Sequence, residues 1–458
     1  MAFDPLELIS EFVRCPSVST DPAYAQAMTD ARECVADKLK KLGFTVETVA
    51  TPLHPILLAE RGAEHDDWPH ILVYGHYDVQ PADPFNLWTT PPFETEIRGD
   101  RIYGRGAADN KGPIAVQLTA LSRVLERHPG LPLRITWMIE GEEEIGSPSF
   151  AGFLDQHSDR LKKAGLVILS DTGCPSPDTM AITLALRGLA PLQINVTGPK
   201  QDLHSGIHGG CLLNPLQALM DICASLHNAD GTVNVPGFYD DVIPPQDWER
   251  DELAKLRVTE DEYQEFLGIP AFHCPPGLNA FEACRFAPTL EFNGIGGGYQ
   301  GEGEKTVIPS KAFAKITCRL VANQDPEKIQ GLIAAAIKRR APKGVTVELD
   351  IHSGGAAYMV TPPGKGGTVA DDSTKSRAFA IAEASINEIW KQPPVYLREG
   401  GSVPIIGDIH RKLGLDSLML GLFTKEDNLH APDESMHCKI IERGVALYER
   451  IFEKLATK

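Results

Sequence analysis

The chain lacks the cysteine pattern of a disulfide-built or cysteine-zinc fold. Its nine cysteines, at positions 15, 34, 174, 211, 223, 274, 284, 318 and 438, are odd in number and include no CxxC pair. That scatter suits reduced thiols. No stretch reaches the run of about 18 apolar residues that a membrane helix needs. Positive charge is also short: 44 Lys and Arg stand against 62 Asp and Glu, for a net charge of −18. Nucleic acid and anionic membranes both select a basic surface, so neither is expected as a partner. The opening MAFDPLELISEFVRCP has neither the basic start nor the apolar core and cleavage site of a secretory signal, and reads as a helix begun by Asp4 and Pro5. The expected location is the cytoplasm.

What is present points to two domains, because 458 residues exceed the roughly 250–300 at which a single core stops growing. Apolar runs at 71–75, 133–139 and 166–170 alternate with a helical pattern at 114–127, and the style returns after 370 with a helix near 374–391, a strand at 417–422 and a helix near 437–456. Continuous apolar strands between helices predict an α/β domain, a mostly parallel sheet sandwiched by helices. The middle differs: strand patterns at 190–198, 306–321 and 344–353 flank helices at 214–229 and 325–341. This predicts a smaller inserted α+β domain over 187–360, with the catalytic domain formed by 1–186 and 361–458. The stretch 229–290 shows no organisation.

Chemistry gathers where predicted strands end. GHYDVQP places His76 and Asp78 on one side of an extended chain, WMIEGEEE delivers Glu142, Glu143 and Glu144, LVILSD delivers Asp171, and a late loop carries His430. Asp109 lies in the glycine-rich turn GRGAADNKG. In open α/β sheets the ligand crevice lies beyond the carboxyl ends of the strands. Histidine and carboxylate groups without cysteine suit zinc, manganese or cobalt, and several carboxylates suit a pair of ions. The residues alone allow either a hydrolytic two-metal site or five independent polar loop residues.

In order along nearly the whole chain, GHYDVQP, GRGAADNKGP, EEIGS, Ser170-Asp171, DLHSG, REGGS and HAPDE resemble the di-metal peptidases and amidases that include carnosinases, cytosolic nonspecific dipeptidases, aminoacylases and succinyl-diaminopimelate desuccinylase. The match is nearest the carnosinase and nonspecific dipeptidase branch. The resemblance implies that Asp109 bridges two divalent ions, zinc or manganese. His76 and Asp171 would complete one site, and Glu144 and His430 the other. It makes Glu143 the general base and Asp78 the carboxylate behind the His76 ring. It also implies a cis peptide between Asp109 and Asn110, where related dipeptidases often carry a second aspartate. Glu142 has no role in this scheme and reads as a solvated or supporting acid.

The same resemblance assigns substrate contacts to the inserted lid and dimerisation domain. His204 would reach into the active site of a partner subunit in a homodimer, Arg319 would clamp the carboxylate of a small peptide, and Thr306 and Ser402 would lie nearby. The function implied is hydrolysis of dipeptides. An amidohydrolase acting on N-acyl or N-succinyl amino acids is the alternative, and an inactive metal-dependent binding protein is a third reading. The glycine-rich GIGGGYQGEG (294–303) reads as a flexible turn, because Tyr299 stands where a dinucleotide fingerprint needs glycine.

Overall fold

The computed structural model describes residues 2–401 and 403–457. Four neighbouring strands, His70–His76, Arg134–Glu140, Val167–Leu169 and Ser417–Leu420, are buried along their whole length. They pair in the spatial order 134–140, 70–76, 167–169, 417–420, all parallel. Their carboxyl ends therefore share one edge. Antiparallel strands Thr45–Val49 and Ile56–Arg61 extend one flank, and Ala181–Leu186 with Tyr358–Met359 the other; Val395–Arg398 runs parallel to Ala181–Leu186.

Helices cover this sheet because their apolar residues recur every three or four positions. In Cys438–Ala456 the buried set includes Ile441, Val445, Tyr448 and Phe452. That helix packs on Lys111–Arg127 and Thr374–Trp390, while Phe150–Leu161 packs on 404–413. Asp4 caps the first helix, Pro5–Val13, accepting from the N–H groups of Leu6 and Glu7. Among the described residues no helix is long and apolar enough to cross a membrane.

A second, wholly antiparallel sheet has the order Thr289–Gly297, Lys311–Leu320, Gly188–Thr197, Thr346–Ile351. Strand Gly188–Thr197 alternates buried and half-buried residues. Its buried side meets helices Pro215–Ser225 and Pro326–Arg340 in a core of its own, with Leu192, Ile194, Ile222 and Ile333 among its members. The chain enters and leaves this unit at one neck, where Leu189 and Gly355 exchange both backbone hydrogen bonds at 2.9 Å. A Cβ on Gly188 would stand 2.6 Å from the backbone nitrogen of Ala357, so only glycine fits there. The glycine-rich 294–303 is a turn only in part, for Gly294–Gly297 continue a strand past a register shift.

The stretch without sequence organisation forms three short helices, Asp247–Ala254, Glu260–Leu267 and Ala280–Phe286. They hold to the large sheet through Leu253 and Phe286, which pack on Val395 and Leu397. Glu249 receives both forks of Arg398 at 2.7 Å, with the two side chains 3% and 2% exposed. Removing one partner of a buried ion pair strands the other charge away from water. Glu249→Ala should therefore cost about 3–5 kcal/mol, read as a lower urea midpoint. The exposed Asp251 lies on the same helix, and Asp251→Ala, which breaks no such pair, should leave the midpoint near wild type.

Candidate metal centre

His76 is the last residue of its strand and Asp171 follows Leu169 by two, so neighbouring parallel strands deliver both to the same edge. Glu143 and Glu144 lie in the turn just after strand Arg134–Glu140. Asp109 and His430 come from loops, and two devices bring those loops together. A small sheet pairs Ser435–His437 with Arg101–Tyr103. Between them, the fully buried Glu434 accepts the backbone N–H groups of Gly106, Ala108 and Asp109 at 3.0–3.1 Å and Arg105 Nη1 at 2.6 Å. One carboxylate thus fixes the loop that carries Asp109 to the loop that carries His430.

The Asp109 carboxylate lies between two histidines, with Oδ1 3.0 Å from His76 Nε2 and Oδ2 3.0 Å from His430 Nε2. His76 Nε2 is also 3.8 Å from Asp171 Oδ2, and His430 Nε2 is 3.4 Å from Glu144 Oε2. The side chains thus lie with His76 and Asp171 on one side of Asp109 and His430 and Glu144 on the other. Ligand atoms of His76, Asp109 and Glu144 fall within 4.8 Å of one another. The Asp109–Asn110 peptide is cis. Asp78 holds His76 Nδ1 through its backbone carbonyl at 3.1 Å as well as its carboxylate at 3.3 Å, and its Oδ2 accepts the N–H of Glu144 at 3.1 Å.

Electrostatics set these groups apart. Burial opposes ionisation of Asp109, but hydrogen bonds from His430 and His76 hold its carboxyl well below the usual range. Burial, with the Asp109 charge adding to it, pushes Glu144 up to about 8 and Asp171 up to about 7. Glu143 is likewise raised well above the carboxylate range by burial, with the neighbouring acids Asp171, Asp109 and Glu144 adding to the effect. This is a set of acids with too few protein cations. Divalent ions fit it, since histidine nitrogen and carboxylate oxygen are their ordinary donors.

Several supporting residues lie in the motifs without having been singled out by them. Gln80 holds both oxygens of Glu144, through its backbone N–H at 3.1 Å and its amide at 2.9 Å. Of the two expectations for Glu142, a solvated or a supporting acid, the second holds: it is buried and accepts from Thr51 Oγ1, His54 N and Ser149 N at 2.8–3.0 Å. Glu434 could have been found only from its place four residues after His430. His204 is exposed on a two-strand ribbon where it pairs with Val307, and the exposed Thr306 stands just before that strand, its carbonyl accepting the N–H of Ser205 at 3.1 Å. Arg319 lines a cavity of about 650 Å³ with Arg187, Tyr263, Cys284 and Thr289. Ser402 lies outside the described residues.

The profile of Peptidase family M20/M25/M40 matches residues 72–454. The Cys-Gly metallodipeptidase DUG1 of Candida albicans is 31% identical, over 94% of this chain and 90% of its own. The Beta-Ala-His dipeptidase of Homo sapiens is 27% identical over 97% of this chain and 88% of its own, so the likeness is not confined to one domain. Among solved structures, human carnosine dipeptidase 1 superposes with a TM-score of 0.80 at 26% identity, covering 99% of this chain and 96% of that one. The M20 family metallo-carboxypeptidase Sso-CP2 from Sulfolobus solfataricus gives 0.83 at 27%, covering all of both chains.

The raised carboxyls make metal uptake pH-dependent with a defined sign. Below about pH 7 Asp171 and Glu144 hold protons that an ion must displace, and above about pH 8 they do not. Calorimetric titration with zinc in buffers of different ionisation enthalpy should show weaker binding near about pH 6 than near about pH 8.5, with net proton release from the two acids and from His76 and His430, whose affinity for protons, though opposed by burial, is raised by their carboxylate hydrogen bonds. Binding independent of pH across that window would contradict the assignment of these two acids.

Proposed function

The chain belongs to peptidase family M20/M25/M40, and from that premise we propose a dipeptidase that works with two divalent ions, zinc or manganese, in each subunit. It is a metal-dependent hydrolase of peptide bonds. The observation that carries the two-ion reading is Asp109, which turns one carboxylate oxygen to each of two histidines drawn from opposite ends of the chain. In this reading His76 and Asp171 would hold one ion and Glu144 and His430 the other, with Asp109 available to both. When bound, such ions polarise the scissile carbonyl and make water acidic enough to attack near neutral pH.

The remaining steps belong to side chains. Glu143 takes the proton of the attacking water and gives it to the leaving amine. Asp78 keeps the His76 ring oriented with Nε2 toward Asp109, and braces the Glu144 backbone as well. The inserted unit, residues 187–360, acts as lid and dimerisation domain. Arg319 binds the substrate carboxylate, Thr306 and Ser402 contact the substrate, and His204 enters the site of the partner subunit in a cytoplasmic homodimer. The separate core of the unit supports this division, although its helices Asp247–Ala254 and Ala280–Phe286 also pack on the large sheet.

Mass spectrometry of products from metal-stripped protein, with zinc, manganese or nothing restored, tests the reading. The substrate panel holds unblocked dipeptides, β-alanyl-histidine, and N-acetyl and N-succinyl amino acids. Cleavage of unblocked dipeptides only with metal is expected, and cleavage confined to blocked amino acids would reassign the enzyme as a deacylase. Glu143→Gln should lower kcat by about 10²–10⁴-fold while metal content stays at the wild-type value. Turnover near wild type in that variant would remove Glu143 from the mechanism.

A further inference from the structure

Asn110 stands at the N-cap of helix Lys111–Arg127, yet its side chain makes no capping bond. Asparagine is among the residues most favoured at that position because its side-chain oxygen ordinarily accepts an N–H from the first turn. Here the side chain, 2% exposed, turns the other way. Its Nδ2 donates to Asp171 Oδ1 at 3.0 Å and faces the Ser170 carbonyl at 3.4 Å. Both neighbours only accept, so the amide nitrogen and not its oxygen must face them. The amide oxygen points to Gly75, where an added Cβ would fall 3.1 Å from it and 2.9 Å from Ile114. Glycine at 75 leaves the space in which the Asn110 amide lies flat against the strand.

The consequence falls on Asp171. With Oδ1 engaged by the amide, Oδ2 is the oxygen left facing His76, 3.8 Å from its Nε2. We infer that Asn110 is a positioning residue that selects which oxygen of Asp171 serves as ligand, holding that carboxylate in one-oxygen coordination beside His76. The inference rests on the reading of Asp171 as a metal ligand. A carboxylate at position 110 has nearly the same shape but brings only acceptors to this place, so the neutral donor is specific to asparagine among the two. Hydrogen-bond partners of this kind commonly change metal affinity by about 10–100-fold when removed.

The experiment is a zinc titration of the full chain, in competition with a chromophoric chelator, for wild type, Asn110→Ala, Asp171→Ala and the double variant. Asn110→Ala is expected to weaken one of two bound ions by about 10–100-fold and leave the other unchanged. In the Asp171→Ala background the same change should have no further effect, because Asn110 acts through Asp171. Unchanged affinity in Asn110→Ala, or an equal loss in both backgrounds, would overturn the inference. Wild-type protein that binds fewer than two ions would instead sink the two-ion reading beneath it. Should Asn110→Ala fail to fold, Asn110→Ser replaces it: serine restores a capping hydroxyl but falls one bond of about 1.3 Å short of Asp171, and the same two-background comparison decides.

Discussion

A carboxylate taken out of water must find donors or a cation, and this constraint organises the molecule. Where the protein supplies the partner, the result is a structural brace. Glu434 takes three backbone N–H groups and Arg105, and Glu249 takes both forks of Arg398. Where it does not, protons or metal ions must. The three consecutive glutamates after strand Arg134–Glu140 divide along that line. Glu142 turns to Thr51, His54 and Ser149, Glu144 to Gln80 and His430, and Glu143 remains in the field of His76, Asp109 and Asp171. Their adjacency in sequence does not make them neighbours in function.

The sheet supplies the geometry. Four parallel strands end at one edge, so His76, the glutamate turn and Asp171 arrive there without any long-range contact of their own. Asp109 and His430, 321 residues apart, need more. The pairing of Met436 with Ile102 and the buried Glu434 supply it, which makes the centre dependent on the closing of both chain segments onto one sheet. A site assembled in this way forms only when the large domain is complete.

The inserted unit stands apart in its packing. It has its own core, joined to the large sheet at the Gly188 neck and through the short helices Asp247–Ala254 and Ala280–Phe286, which hold Val395–Arg398. Of the three short helices, Glu260–Leu267 and Ala280–Phe286 also form walls of the cavity that Arg319 lines. Their sequence carries polar faces, two prolines in succession at 275–276 and short lengths, and their apolar anchors Leu253 and Phe286 are too few to show a period. That is why 229–290 resisted organisation while Cys438–Ala456, with its regular buried stripe, did not.

The sequence by itself determined the four central strands of the large domain and its helices at 111–127, 374–390 and 438–456, because buried parallel strands are continuous apolar runs and long amphipathic helices have a strong period, whereas the short flanking strands such as Thr45–Val49 and Val395–Arg398 are not read from it. It also determined the identities of the acids and histidines, since donor chemistry is a property of residue type. Tertiary structure alone decided which oxygen meets which nitrogen. The backbone grip of Asp78 on His76, the burial of Glu142, the loop-fixing role of Glu434 and the turn of Asn110 away from its helix all follow from contacts between segments brought together by the fold. Such contacts leave no periodic trace, because each depends on one pair of atoms brought within hydrogen-bond reach only when the sheet has formed.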